Sequence, residues 1–219
     1  MPVTADAMLL HDQTRRLHRA LVDAVLTTGR VPEPSALAAT LDTSLEAIRD
    51  GLRNLATADY LALDASGHLT CLYPLSVVPT PHAVVVNGSR RFAMCAIDAL
   101  GMPAMLDQEL DIEGRCAVCD VSIALRACPS MVVTVAPTTA MVVARRDEAE
   151  PAFATCCPFT VFVCGQEHAD QFMRRITGTR VLSLPDALQH AEAIFRGVLA
   201  AEIPATRPRG KGWGPSRDA

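Results

Sequence analysis

The sequence predicts an α+β fold, in which an N-terminal winged-helix-like helical region precedes a mixed-sheet α/β core. Three observations predict it: apolar residues at helical spacing over residues 7–28, a helix-turn-helix pattern followed by two alternating segments, and a series of short strand-like segments after residue 82. Composition shifts predict an N-terminal domain over 1–80, a core with paired cysteines over 81–204, and a tail over 205–219.

The first domain combines three predicted helices with a two-stranded ribbon. The first helix runs from about residue 7 to 28 and ends at Gly29, and two shorter helices follow the prolines at 32 and 34. The segments 60–63 and 68–73 alternate like a hairpin across a turn. In the last helix the acidic Glu46 and Asp50 offset the basic residues, so we expect a structural or partner-docking role rather than DNA binding.

The core is predicted to contain short strands and three helices. Strands are expected near 84–86, 109–113, 121–125, 131–135, 141–144 and 181–184, and helices over 91–103, 168–176 and 185–199. The apolar run 159–164 fits a strand or a buried helical turn equally well. The proline, glycine and basic content of the last residues is typical of a disordered end.

Composition excludes several classes of protein. The 219 residues are 50% hydrophobic and carry a formal net charge of −4, so there is material for a core but no global basic field to attract nucleic acid or anionic membrane. No apolar run approaches the roughly 18 residues of a membrane span, and the first residues do not fit a signal peptide. We therefore expect a cytoplasmic protein without membrane contact.

Eight cysteines make thiol chemistry the prominent feature of the composition. Cys95 and Asp98 stand three residues apart in a predicted helix, so their side chains share one face, and a helix N-terminus would give Cys95 thiolate character. Taken alone, this pair also fits a core thiol and a surface acid. Cys156 and Cys157 are adjacent and precede Pro158, so one thiol can face a pocket while the other packs.

A second set of thiols contains a CxxC segment. Cys116 and Cys119 form it, and Cys128 follows nine residues later. A zinc site completed by Cys128 and a distant residue, a redox CxxC, and packed or partly exposed free thiols all fit this pattern. The six histidines show no HxxxH or HExxH spacing, which disfavours histidine-based zinc catalysis.

Two segments resemble the active-site motifs of the organomercurial (alkylmercury) lyase family. Arg91-Phe-Ala-Met-Cys-Ala-Ile-Asp-Ala-Leu, followed by Gly-Met-Pro-Ala, is similar to the first motif, in which an aromatic residue shortly precedes Cys-Ala-x-Asp. Phe153-Ala-Thr-Cys-Cys-Pro-Phe-Thr-Val-Phe is similar to the second, with its double cysteine before an aromatic-rich run. The resemblance covers about residues 10–200 and implies the alkylmercury lyase fold. Pro158 stands where the family pattern has histidine, Cys116 resembles a structural family cysteine, and Cys119 and Cys128 are additional thiols.

The resemblance implies a protonolytic carbon–mercury lyase that detoxifies organomercurials. It assigns Cys95 and Cys156 as catalytic thiols, Asp98 as the proton-handling carboxylate, and these three residues as mercury ligands, with Cys157 as a further candidate. Thiolates outcompete nitrogen and oxygen donors for soft mercury(II), and Asp98 would protonate the departing carbon. No organic cofactor is implied. External low-molecular-weight thiols would support turnover, and a mercuric reductase would accept the mercury(II).

Other functions stay open on the sequence. A thiol-based metal-responsive winged-helix transcription regulator would need a basic recognition face. A non-catalytic mercury-binding protein of the same fold would keep the cysteines and lose Asp98, which is present here. A zinc-stabilised interaction domain would depend on Cys116, Cys119 and Cys128.

Overall fold

The computed structural model describes residues 5–145 and 152–199, which form seven helices, two sheets and one 3₁₀ turn. The tail predicted over 205–219 lies outside the described residues. The helices are α1 (Ala5–Thr28), α2 (Pro34–Leu41), α3 (Leu45–Thr57), α4 (Ala96–Leu106), α5 (Ala152–Thr155), α6 (Gln166–Met173) and α7 (Leu184–Phe195). The 3₁₀ turn spans Cys157–Phe159.

The N-terminal helices pack around the apolar stripe of α1. Leu17, Leu21 and Val25 of this stripe are buried, as the helical spacing predicts. The helix ends before Gly29, whose φ of 71° lies in the left-handed region that favours glycine at a helix end. After α3, strands β1 (Leu61–Leu63) and β2 (Leu69–Leu72) pair antiparallel, so the predicted ribbon is present.

A single large sheet begins with this ribbon. It contains eight strands in the order β1-β2-β3-β5-β4-β6-β7-β8. The remaining members are β3 (Leu75–Ser76), β4 (Ala83–Val86), β5 (Ser89–Ala93), β6 (Leu110–Arg115), β7 (Ser122–Cys128) and β8 (Met131–Ala136). Strand β3 pairs with β5, so the sheet continues across the domain boundary predicted at residue 80.

The predicted mixed sheet was wrong, because every strand pair in the described residues is antiparallel. Short turns join most neighbouring strands and favour this pairing; between β4 and β5 the turn consists of Asn87 and Gly88, both at positive φ. The longer connection holds α4, which crosses over β4 and links β5 to β6.

The predicted helix over 91–103 was wrong at both ends. Residues as far as Ala93 belong to β5, and α4 runs from Ala96 to Leu106, through Gly101 and Pro103. The helix continues because almost its whole length is buried, which outweighs the local signal of the proline. A Cβ on Gly101 would lie 2.1 Å from Cδ2 of Phe195, so glycine allows α7 to approach α4 closely.

A smaller sheet and α7 complete the core. Strands β9 (Met141–Arg145), β10 (Val161–Val163) and β11 (Thr179–Leu182) form it in the order β10-β9-β11. The apolar run 159–164 that fitted either structure is thus part turn and part strand. Helix α4 contacts strands of both sheets, and α7 packs along α4. Within the described residues no helix has the length and apolarity to cross a bilayer.

Candidate active site

Cys95 and Asp98 occupy the start of α4, where they are held by the backbone. Cys95 is the N-cap residue, in an extended conformation, and its Sγ accepts a hydrogen bond from the backbone N–H of Asp98 at 3.5 Å. Both side chains are buried, with exposed fractions of 3% for Cys95 and 2% for Asp98. The predicted neighbourhood of this thiol and carboxylate is therefore present, in an apolar part of the core.

The double cysteine brings Cys157 to the same place. Cys157 begins the 3₁₀ turn after α5, and its Sγ lies 3.6 Å from its acceptor Oδ2 of Asp98 and 3.7 Å from the hydroxyl oxygen of Tyr73. The ligand atoms of Cys95, Asp98 and Cys157 all lie within 4.8 Å of one another. We call these three residues the buried cluster.

Cys156 points elsewhere, although the sequence grouped it with Cys95 and Asp98. Its Sγ donates to the backbone carbonyl of Arg145 at 3.0 Å and lies 3.6 Å from the hydroxyl of Thr160. Cys156 precedes the 3₁₀ turn that Cys157 begins, and in this backbone conformation the two thiols point to different partners. Cys156 is half-buried, whereas every member of the buried cluster is fully buried.

The surroundings keep Cys95 protonated. Burial, a hydrogen bond with Cys157 and the negative charge of Asp98 raise the pKa of the Cys95 thiol well above its usual range. The charge of Cys156 contributes in the same direction, which places Cys156 in the neighbourhood of Cys95. The expectation that the helix terminus would give Cys95 thiolate character was wrong, because desolvation outweighs the single backbone N–H.

A second group of ligands lies where β6 ends and α6 begins. It consists of Cys116, Cys119, Cys164 and His168, whose ligand atoms are all within 4.8 Å of one another. We call it the four-ligand cluster. Burial alone would raise the pKa of Cys116, but backbone N–H groups of Cys119, Val118 and Cys164 lower it to about 6.

The sequence analysis missed two members of this cluster and named a residue that does not belong to it. Cys164 and His168 have a CxxxH spacing, which was the signal available. Cys128 is the last residue of β7, a strand of seven residues that runs back antiparallel to β6. At about 3.3 Å per residue, this strand carries Cys128 about 20 Å from the cluster.

Two thiols and a carboxylate enclosed in an apolar core suit the class of protein that binds a soft metal ion through thiolates and moves a proton beside it. The described residues around it form no HExxH-type metal site.

Comparisons with known proteins identify the family within this class. The alkylmercury lyase family model matches residues 75–196. The chain is 29% identical to an alkylmercury lyase of Bacillus cereus over 154 residues, covering 70% of this chain and 69% of that protein. It is also 29% identical to one of Staphylococcus epidermidis over 174 residues, covering 79% and 78% respectively.

A solved structure shares the fold. The crystal structure of the mercury-bound form of MerB2 superposes with a TM-score of 0.72 at 19% identity, over 88% of this chain and 96% of that one. The chain belongs to the alkylmercury lyase family. The family and the enzyme class predicted from the two cysteine motifs, a carbon–mercury lyase, are thereby confirmed.

Proposed function

We propose that this enzyme cleaves the carbon–mercury bond of small organomercurials with Cys95, Cys156 and Asp98, and that Cys157 orients Asp98. The observation that carries the proposal is the buried cluster, which places a carboxylate beside two thiols in an apolar environment. Methylmercury is the simplest substrate of this chemistry.

Cys156 is assigned the capture of the substrate. It is the one residue among Cys95, Asp98, Cys156 and Cys157 that is not fully buried, so it is the thiol nearest to solvent. Exchange of an external thiol ligand on R–Hg for Cys156 keeps mercury two-coordinate, and the external thiol leaves with the proton of Cys156. To reach Cys95, the Cys156 thiol would exchange its contacts with the carbonyl of Arg145 and the hydroxyl of Thr160 for mercury by rotation about its χ1 angle.

The second thiolate drives bond cleavage. The raised pKa of Cys95 means that this thiol needs a base, and the adjacent carboxylate of Asp98 can take its proton. Cys95 then binds mercury, and the electron density that two thiolates supply makes the bound carbon basic. Asp98 returns the proton to this carbon as the carbon–mercury bond breaks. The hydrocarbon leaves, mercury(II) stays on Cys95 and Cys156, and Asp98 is again a carboxylate.

Cys157 is assigned a positioning role. Its thiol donates to Oδ2 of Asp98 while also contacting Tyr73, so it fixes the carboxylate relative to Cys95. This geometry also favours a second assignment, in which Cys157 rather than Cys156 binds mercury with Cys95.

Methane production tests these assignments. Purified enzyme is incubated with methylmercury and excess small thiol, and methane and mercury(II) are measured for wild type, Cys95→Ser, Asp98→Asn, Cys156→Ser and Cys157→Ser. Cys128→Ser serves as a matched control outside both clusters. Loss of methane in the first three variants, with partial activity in Cys157→Ser, is expected. If Cys156→Ser keeps full activity and Cys157→Ser loses it, then Cys157 rather than Cys156 is the second mercury ligand. Tight methylmercury binding by wild type without methane would contradict the enzyme mechanism.

The reaction as proposed needs no organic cofactor, since thiolates and a carboxylate supply all its chemistry. Two thiolates hold mercury(II) tightly, so low-molecular-weight dithiols or a mercuric reductase are the expected acceptors of the product. A cytoplasmic location is part of the proposal, because a reducing compartment keeps thiols free for this chemistry.

The N-terminal region is proposed to be a winged-helix-like domain over residues 1–80 with a structural role, preceding a catalytic core over 81–204. Helices α1 to α3 and the β1–β2 ribbon have the corresponding order, and the ribbon extends the large sheet. Acidic residues also offset the arginines of α3, with Arg53 paired to Asp50, which disfavours DNA binding.

A further inference from the structure

The four-ligand cluster has the composition and spacing of a structural metal site. Cys116-x₂-Cys119 and Cys164-x₃-His168 each supply two ligands, and structural zinc sites are built from such pairs. The two halves are 45 residues apart in sequence between Cys119 and Cys164, so only the tertiary fold brings them together.

The distances between ligand atoms fit a tetrahedral ion. Sγ of Cys119 lies 3.7 Å from Sγ of Cys164, and Sγ of Cys116 lies 3.4 Å from Nδ1 of His168. Around tetrahedral zinc, with Zn–S near 2.3 Å and Zn–N near 2.0 Å, two sulfurs are about 3.8 Å apart and a sulfur and nitrogen about 3.6 Å. Of the three pairs with these distances, the contact of Cys164 with His168, at 2.9 Å, would have to lengthen most.

The backbone around Cys116 forms a tight knuckle. Asp120 N–H donates to the carbonyl of Cys116, Cys116 N–H donates to the carbonyl of Val121, and Asp120 has a φ of 59°. Backbone N–H groups of Val118 and Cys119 also point at the sulfur of Cys116. Donors aimed at sulfur favour the thiolate form, which is the form that binds metal.

The other half of the cluster is held just as firmly. Cys164 directly follows β10, and its carbonyl accepts a hydrogen bond from Thr139 at 2.6 Å. His168 is the third residue of α6, and its Nδ1 lies 2.9 Å from Sγ of Cys164, four residues earlier. Ala117 N–H donates to the carbonyl of Phe162, so the knuckle and β10 are already joined before any metal is considered.

We propose that Cys116, Cys119, Cys164 and His168 bind one zinc ion, which fastens the end of β6 in the large sheet to β10 and α6. The bound ion displaces the remaining thiol protons and coordinates three thiolates and Nδ1 of His168. Four protein ligands leave no open position, so the site is structural and takes no part in bond cleavage. This inference does not depend on the roles proposed for Cys95, Asp98, Cys156 and Cys157.

Zinc fits the cluster better than other occupants. Mercury(II) prefers two thiolates in a line, whereas here four ligands converge on one point. A disulfide would leave His168 and one thiol without a role, and the sulfurs of Cys119 and Cys164 stand 3.7 Å apart, far beyond the roughly 2.05 Å of a disulfide bond.

Metal analysis of the full chain tests the proposal. The protein is purified from zinc-containing, mercury-free medium, and metals are measured per chain for wild type, Cys119→Ser and His168→Ala. Cys128→Ser and Cys95→Ser are the controls, one outside both clusters and one in the buried cluster. Because Cys119 is exposed and His168 half-buried, neither substitution leaves a large cavity.

One zinc per chain is expected in wild type and in both controls, with loss of bound zinc in Cys119→Ser and His168→Ala. Cobalt substitution of wild type should give thiolate-to-metal charge-transfer and tetrahedral d–d bands, which keeps the test decisive even where a variant folds poorly. Wild type without zinc, iron in place of zinc, a six-coordinate cobalt spectrum, or zinc lost from Cys95→Ser but kept by His168→Ala would each overturn the proposal.

Discussion

The buried cluster and the four-ligand cluster use the same thiol chemistry in different surroundings. The first has two thiols and a carboxylate, all fully buried, and a Cys95 pKa raised well above its usual range. The second has three thiols and an imidazole, is partly exposed, and surrounds Cys116 with backbone N–H donors. Backbone donors favour the thiolate of Cys116, although burial and the thiols of Cys116 and Cys119 raise the pKa of Cys164 to about 12. The apolar pocket of the buried cluster instead keeps Cys95 protonated until a metal arrives.

The largest difference expected between the two clusters is in the effect of substitutions on catalysis. Cys95→Ser and Asp98→Asn should each lower the rate of methane formation by about 10³-fold or more, because they remove the second thiolate or the proton donor. Cys119→Ser should leave this rate within a few-fold of wild type at a temperature where the variant is folded. A single-turnover methane assay measures both; an equal loss in Cys119→Ser would mean that the two clusters are not separate.

The next largest effect expected is a loss of stability in acid, which two buried histidines cause. His18, beside Tyr60, and His82, beside Phe162, are buried, and burial is the main cause that lowers each pKa from 6.5 to about 4. The charge of the neighbouring Arg19 contributes to the lowered pKa of His18. The unfolded chain therefore binds more protons, and stability that is complete above pH 6.5 falls as the pH is lowered towards 4, by about 3 kcal/mol for each imidazole.

Urea unfolding at several pH values measures this loss. His82→Phe should remove roughly half of the pH dependence, since a phenyl ring fills the site beside Phe162 without titrating. A free energy of unfolding that stays constant between neutral pH and pH 4 would contradict the assignment of both histidines as buried and neutral.

The motifs predicted more of the buried cluster than of the four-ligand cluster, for physical reasons. Cys95 and Asp98 lie within one helical turn, so their proximity is a local property that spacing reveals. Which member of the double cysteine faces them depends on the 3₁₀ turn, and the sequence could not indicate that Cys157 makes the contact. The grouping of Cys116 with His168 depends on how β6 and α6 meet, which no local pattern contains.

Helices and strands were likewise predictable where local sequence determines them and not where tertiary contacts do. Helix α1 and the strands β6 and β7 follow local periodicity and were predicted. The start of α4 was misplaced because Arg91 and Phe92 also suit a helix, and their pairing with β4 is a tertiary contact.

Two glycines give region-specific tests of packing. A Cβ at Gly101 would lie 2.1 Å from the ring of Phe195, and one at Gly114 would lie 2.5 Å from the ring of Phe162; both rings are fully buried. Alanine at either position should lower the free energy of unfolding by about 1–3 kcal/mol through overpacking. Gly101→Ala should also slow methane formation, because Gly101 belongs to the helix that carries Asp98.

Thermal and urea unfolding measure both glycine variants, and Gly165→Ala is the matched control. At Gly165 the nearest atom is 3.7 Å away, an ordinary contact, so little change is expected. Wild-type stability in Gly101→Ala would contradict the close approach of α7 to α4.

The smallest effect expected concerns the positioning of Asp98. Cys157→Ser keeps a donor beside Oδ2 of Asp98, but the shorter C–O bond moves that donor away from a contact that is already 3.6 Å long. Methane formation should therefore fall by about tenfold, or about 1.4 kcal/mol, while Cys157→Ala, which has no donor, should fall further. A positioning role lowers the single-turnover rate and leaves the capture of methylmercury by Cys156 unchanged, so rapid-mixing measurements of both steps separate it from direct binding. If Cys157→Ala weakens methylmercury capture as strongly as Cys156→Ser does, Cys157 is itself a mercury ligand and the buried cluster is the complete reaction site.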